Sequence, residues 1–266
     1  MASDVVPATD RGLAYGDGVF RTLAVHAGIP VLWSQQYAKL ASDSARLGIF
    51  CPSSEELRHD VLAVTANDTN AAVKIIITRG NGERGYRMPQ ASRPNRVVLA
   101  SPLSVYPDRY ISEGIAVHLC RTRLGTQPAL AGVKHLNRLE NILGRAEWEG
   151  DAYAEGIFLD VNGNVIGGTM TNVFIVERGR LATPGLEHCG VAGVTRQLIL
   201  DCAAANNVKY SVETIPLDRL MTADETFVVN TLIGAWAVHS IGDRTMRTGA
   251  MIHRIRAWLD ECRTLD

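Results

Sequence analysis

Lysine is scarce in this chain. Lys39, Lys74, Lys134 and Lys209 are the four lysines among 27 basic residues. The rest are arginines, which pair well with carboxylates but cannot act as amine nucleophiles. Any amine chemistry therefore falls to four positions. Cysteine is sparse as well: Cys51, Cys120, Cys189, Cys202 and Cys262 lie far apart with no C-x-x-C pair. That pattern excludes a disulfide framework and fits a reduced, cytoplasmic setting. Net charge is almost absent, with 27 basic residues against 28 acidic, so no general basic field exists to hold nucleic acid. No apolar run approaches the roughly 20 residues that span a bilayer, and MASDVVPATDRG has neither the basic nor the apolar region of a signal peptide. The histidines show no H-x-x-x-H spacing and no Cys/His cluster, so no metal site is expected. The absence of G-x-S-x-G removes the usual serine hydrolase pattern.

What is present is a globular composition: 266 residues, 46% apolar and 21% charged. That length holds one large domain or two modest ones. Trp33, Tyr37, Leu40 and Leu47 follow helical spacing up to Gly48, and Ser53 with Glu56 predicts a capping box for a second helix. Residues 71–79 and 96–100 read as strands. The polar stretch 106–114 marks a boundary between a small α+β N-terminal lobe over 1–110 and a larger α+β C-terminal lobe over 115–266. In the second lobe a helix is expected over 136–149, with Leu136, Leu139, Leu143 and Ala146 on one face. Asn162-Gly163 predicts a hairpin. A helix over 195–206, a strand over 225–231 and a C-terminal helix from about residue 250 complete the pattern. Strand pairs interleaved with helices predict two α+β lobes, not a doubly wound parallel sheet.

Three segments carry chemistry. Gly80, Gly82 and Gly85 match G-x-G-x-x-G after a strand, but Pro89 and Pro94 follow where a dinucleotide site needs a helix, so that assignment is rejected. What remains is either a solvated glycine-rich loop or one that presents Arg79, Arg84, Tyr86 and Arg87 to an anionic small molecule. Lys134 sits in PALAGVKHLNRLEN, after an apolar approach and before a helix. Partial desolvation there would lower its pKa and free the amine to attack a carbonyl, although lone lysines at helix starts more often snorkel to the surface. Finally, GVAGVTRQL opens a helix at Val194 and Thr195, and NTLIGAW ends a strand at Asn230 and Thr231; each suits a phosphate, and each is also a common loop exit. A Schiff-base lysine with two phosphate-type loops points to pyridoxal phosphate.

In this order the motifs resemble those of the fold type IV pyridoxal-phosphate enzymes, whose members include branched-chain and D-amino acid aminotransferases and aminodeoxychorismate lyases. The likeness runs from DRGLAYGDGVF (10–20) to NTLIGAWAV (230–238). It is most specific in TRGNGERGY (78–86) and RLGTQPALAGVKHLNRLENIL (123–143), which resemble the lyase branch. The resemblance implies a two-lobed, D-amino acid aminotransferase-like fold with the cofactor lysine, Lys134, on the C-terminal lobe. It implies pyridoxal 5′-phosphate held by Lys134, Lys39, Val194, Thr195, Asn230 and Thr231, with Arg84 and Tyr86 near the substrate carboxylates. It further implies a cytoplasmic homodimer that acts on the small molecule aminodeoxychorismate, with Lys134 as Schiff base and acid/base. An aminotransferase of the same fold, or a catalytically impaired relative, is the alternative.

The chain departs from the family pattern at three positions. The glutamate expected five residues before Asn172-Val173-Phe174, as partner of the pyridine nitrogen, is Gly167; Asp160 and Glu155 are the nearby acids that could replace it. Lys39 stands where relatives carry a phosphate-gripping arginine, and Arg21 where many carry glutamate. Weaker cofactor retention is the expected result of the lysine.

Overall fold

The computed structural model describes residues 5–263. The chain divides into two compact units. The first runs to Ser104 and also takes in Val133–Asn137; the second holds Val105–Gly132 and the chain from Arg138 onward.

In the first unit α1 (Arg11–Tyr15) leads into β1 (Gly18–His26) and β2 (Ile29–Pro30). Helices α2 (Trp33–Arg46) and α3 (Ser54–Val64) follow, then β3 (Ala71–Thr78) and β4 (Asn95–Pro102). The strands form an antiparallel sheet in the order β2-β1-β3-β4. Strand periodicity sends Val19, Leu23, Val73, Ile75 and Ile77 to one face, where they pack with Leu40 of α2 and with Leu57 and Val61 of α3. The same periodicity leaves half-buried Phe20, Thr22, Lys74 and Ile76 on the other. The α3 capping box forms as predicted: Glu56 N–H donates to Ser53 Oγ at 3.2 Å, and Ser53 N–H donates to Glu56 Oε2 at 2.9 Å.

The second unit opens with α4 (Arg109–Ser112), β5 (Ile115–Leu124) and α5 (Leu139–Arg145). Strands β6 (Glu155–Asp160), β7 (Val165–Gly168), β8 (Asn172–Glu177) and β9 (Arg180–Pro184) come next. They are followed by α6 (Val194–Ala205), β10 (Tyr210–Glu213), α7 (Leu217–Thr222) and β11 (Glu225–Asn230). The chain closes on β12 (Gly234–Ile241), β13 (Arg244–Thr245) and α8 (Met251–Arg263). One mixed sheet runs β10-β9-β8-β11-β12-β5-β6-β7, with β13 on β12. The pairs β9–β10, β5–β12 and β5–β6 are parallel and the others antiparallel, an α+β arrangement as expected. Phe174, Phe227 and Val229 bury one face of this sheet against Ile199 of α6 and Ile255 and Trp258 of α8.

Two expectations need correction. The helix expected over 136–149 is confined to Leu139–Arg145, because the residues before it pair with β1. Phe20 N–H donates to the Lys134 carbonyl at 2.9 Å, Leu136 N–H donates to the Gly18 carbonyl at 3.0 Å, and Val19 bridges His135. Gly18 permits this approach, since a Cβ there would lie 2.8 Å from Leu136 Cδ1. For the same reason Lys134 belongs to the first unit and not to the larger C-terminal one.

Candidate active site

Lys134 is fixed through both of its backbone polar groups. Its carbonyl accepts from Phe20 N–H, and its own N–H donates to Asp43 Oδ2 at 3.2 Å. Its Nζ lies 4.7 Å from the centre of the Phe20 ring, and Lys74 Nζ lies at the same distance from that ring. Two lysine amines thus lie against one aromatic ring. Asp43, on α2, is fully buried and ion-paired to Arg21 through Oδ2 and to Lys39 through Oδ1. Burial draws the Lys39 ammonium below the ordinary lysine pKa, and Asp43 opposes that shift. The Lys39 ammonium, expected on a phosphate, is therefore engaged with a carboxylate.

The glycine-rich loop is pinned from beneath. No helix follows Gly85, in keeping with the rejected dinucleotide motif. Arg79 is not presented to a ligand: it is buried, with Nε on Asp17 at 2.8 Å and its two terminal nitrogens on the Gly48 and Leu47 carbonyls. Arg11 also pairs with Asp17 and donates to the Gly85 carbonyl at 3.0 Å. Gly85 N–H donates to the Tyr15 hydroxyl at 2.9 Å. Above this base Arg84 and Tyr86 are exposed, Tyr86 at 86%. Gly80, at φ +87°, could carry no side chain, since a Cβ would meet the Arg93 carbonyl oxygen at 1.9 Å.

In the second unit the start of α6 has the donor set that a phosphate needs. Gly193 is its N-cap, and none of the described side chains caps the helix, so first-turn N–H groups of Val194 and Thr195 lack that partner. Thr195 and Thr231 bring their hydroxyls within 3.4 Å of each other beside it. Asn172 shapes the entry, accepting from Gly193 N–H at 3.1 Å and donating to the Val191 carbonyl at 2.8 Å. Asn230 holds its own turn: its Oδ1 accepts from Leu232 and Ile233 N–H at 2.9 Å, and its Nδ2 donates to the Met170 carbonyl. It builds the loop that carries Thr231. Two hydroxyls and an uncapped helix start fit a phosphate monoester by donor chemistry and charge.

Gly167 lies on β7 opposite Phe158 and has no side chain to offer a pyridine nitrogen. Both nearby acids are engaged elsewhere. Glu155, fully buried, receives Gly156 N–H, Thr169 N–H and the Thr169 hydroxyl on Oε1, and Met170 N–H and the Thr171 hydroxyl on Oε2. Burial pushes its carboxyl above the ordinary pKa, and these donors oppose that shift. Asp160 closes the Asn162-Gly163 hairpin, accepting from Asn162 and Asn164 N–H at 2.9 and 2.8 Å. Among the described residues no cluster of His, Cys, Asp and Glu could hold a metal ion.

Sequence spacing singled out Lys134, Thr195 and Thr231 as candidates. It missed Asp43, Gly193 and Asn172, whose importance comes from contacts to residues far along the chain. The one local clue to Asp43 is its i, i+4 relation to Lys39.

The amino-transferase class IV family model matches residues 18–241. The chain is 36% identical over 239 residues to an aminodeoxychorismate lyase of Vibrio harveyi, covering 89% of this chain and 87% of that one. It is 25% identical over 248 residues to a D-alanine aminotransferase of Bacillus licheniformis, covering 92% and 86%. The crystal structure of 4-amino-4-deoxychorismate lyase from Pseudomonas aeruginosa superposes with a TM-score of 0.93 at 40% identity, covering 98% of this chain and 96% of that one.

Proposed function

Because the chain belongs to the amino-transferase class IV family, we propose that it is a pyridoxal 5′-phosphate-dependent 4-amino-4-deoxychorismate lyase, which releases pyruvate and leaves 4-aminobenzoate, a folate precursor. Pyridoxal 5′-phosphate supplies an electron sink for the bond that breaks. Lys134 Nζ is the atom that joins the cofactor. When not so joined, the same Nζ takes the proton from the ring carbon bearing the amino group and returns a proton to the departing pyruvate. One amine in both roles needs a pKa near the working pH. The Val194 and Thr195 N–H groups, with the Thr195 and Thr231 hydroxyls, hold the phosphate, and Asn230 keeps the Thr231 turn in shape. Arg84 and Tyr86 meet the substrate carboxylates from the exposed crest of their loop, Arg84 supplying charge and Tyr86 a hydroxyl.

The observation that favours a lyase over an aminotransferase is at position 167. Gly167 is bare, and Glu155 and Asp160 are both engaged with loop donors, so neither of these two acids is available to a pyridine nitrogen. Transamination depends on a stabilised carbanion and suffers most from that loss. Elimination is helped by the aromaticity the product gains. The test is fluorimetric detection of 4-aminobenzoate from aminodeoxychorismate, with pyruvate measured in parallel. Equal amounts of both, dependent on pyridoxal 5′-phosphate, are expected. Neither product, together with amino transfer from D-alanine or leucine to 2-oxoglutarate, would identify an aminotransferase instead.

The protein works as a cytoplasmic homodimer. Leu139, Ile142 and Leu143 expose an apolar face of α5, as a surface covered by a second copy would require, and all five cysteines are free thiols, which fits a reducing compartment.

A further inference from the structure

Resting on the assignment of Lys134 as the Schiff-base lysine, we infer that Asp43 is a positioning residue for Lys134, and that Lys39 acts on that lysine through Asp43 and not on the cofactor phosphate. Asp43 is separated from Lys134 by 91 residues, yet its Oδ2 accepts the Lys134 N–H at 3.2 Å. Phe20 N–H holds the Lys134 carbonyl at 2.9 Å, so the lysine peptide is gripped at both ends and the orientation of its Cα–Cβ bond is set. A carboxylate wholly withheld from water requires compensation at each oxygen. Arg21 provides it at Oδ2 and Lys39 at Oδ1. Lys39 and Asp43 lie one turn apart on α2, so the helix delivers the ion pair as a unit and aims its anion at the lysine segment. On this geometry Lys39 keeps Asp43 in place, and Asp43 keeps Lys134 in place.

The experiment separates a phosphate ligand from a positioning residue by using pyridoxal 5′-phosphate and pyridoxal, which lacks the phosphate. Affinity is read by fluorescence titration, and linkage to the lysine by its absorption band and by borohydride trapping with peptide mapping. Lys39→Met and Asp43→Asn are expected to slow formation of the trappable linkage about tenfold or more, by the same factor for both aldehydes. The preference for the phosphorylated form should be unchanged, and Lys39→Arg should restore the rate. A Lys39→Met protein that loses phosphate preference about tenfold while forming the linkage to pyridoxal at the original rate would make Lys39 a phosphate ligand and overturn the inference. Unchanged rates with both aldehydes would overturn it too. Lys134→Ala is the control: a trappable linkage surviving in it would show that the lysine assignment itself is wrong. Should Asp43→Asn fail to fold, Lys39→Met carries the test, since the Lys39 side chain is 25% exposed and melting of that variant can be checked directly.

Discussion

A side chain at position 167 is the smallest change that would alter the chemistry proposed here. The backbone there is not left-handed, and a Cβ would meet only the Thr171 carbonyl oxygen, at 3.1 Å. Gly167→Glu should therefore be tolerated by the backbone and raise turnover by giving the cofactor ring an acidic partner, with thermal melting reporting the cost of the buried carboxylate. Steady-state kinetics with cofactor saturation checked by absorbance would decide; no gain in a folded, loaded variant would mean that residue 167 does not face the ring. The glycine was legible only against the family pattern the chain resembles, which sets a glutamate five residues before Asn172-Val173-Phe174. The commitment of Glu155 and Asp160 was not, because five donors from Gly156 to Thr171 converge on Glu155 only once β6 and the loop after β7 are folded together.

Among elements, α6 places the greatest demand on a single residue. A Cβ on Gly193 would lie 2.3 Å from Asn172 Oδ1, the same atom that accepts the Gly193 N–H. Gly193→Ala should displace the helix start and weaken pyridoxal 5′-phosphate retention about tenfold, measured by fluorescence titration, with an overpacking cost of about 1–3 kcal/mol in thermal melts. Strand β5 depends on a different group. Its register against β6 shifts between Leu119 and Arg123, and Glu147 secures that irregularity by accepting from Arg121 and Thr122 N–H, each at 2.7 Å, and from His118. Burial pushes the Glu147 carboxyl up, but the donors outweigh it and bring the pKa down to about 2. A carboxylate with a depressed folded pKa stabilises fully above its ordinary value of about 4.5, and that contribution fades as pH falls toward 2. Urea titrations across that range should show a stability slope in the wild type that Glu147→Gln reduces. Periodicity located α2, α3, α6 and α8 because each has a local signal, a cap or a stripe. It overextended α5, since Leu136 continues the helical spacing yet hydrogen-bonds as a strand edge to Gly18.

At the scale of the whole molecule, the α+β class followed from the alternation of strand pairs and helices, while the membership of each unit did not. Composition and spacing are blind to a five-residue segment that leaves one unit to complete another. Association is the property most open to test. Leu143→Glu with Ile142→Glu adds two charges to the exposed face of α5, where neither native side chain contributes to a core cluster. Light scattering after size-exclusion should report a dimer for the wild type and a monomer for this variant, with melting little changed if the face serves only association.

The discontinuous first unit also bears on how the protein is made. Synthesis runs from the N-terminus, so the stretch ending at Ser104 emerges before the residues that pair with Gly18 and Phe20 exist. Until Val133–Asn137 arrives, that margin of β1 is an open strand edge, a template for wrong partners. The nascent chain must remain soluble through this interval, and a translation pause placed before residue 133 would prolong it. The lysine proposed to join the cofactor is thus also among the residues whose arrival closes that edge, so a ribosome that stalls early yields neither a finished edge nor that lysine.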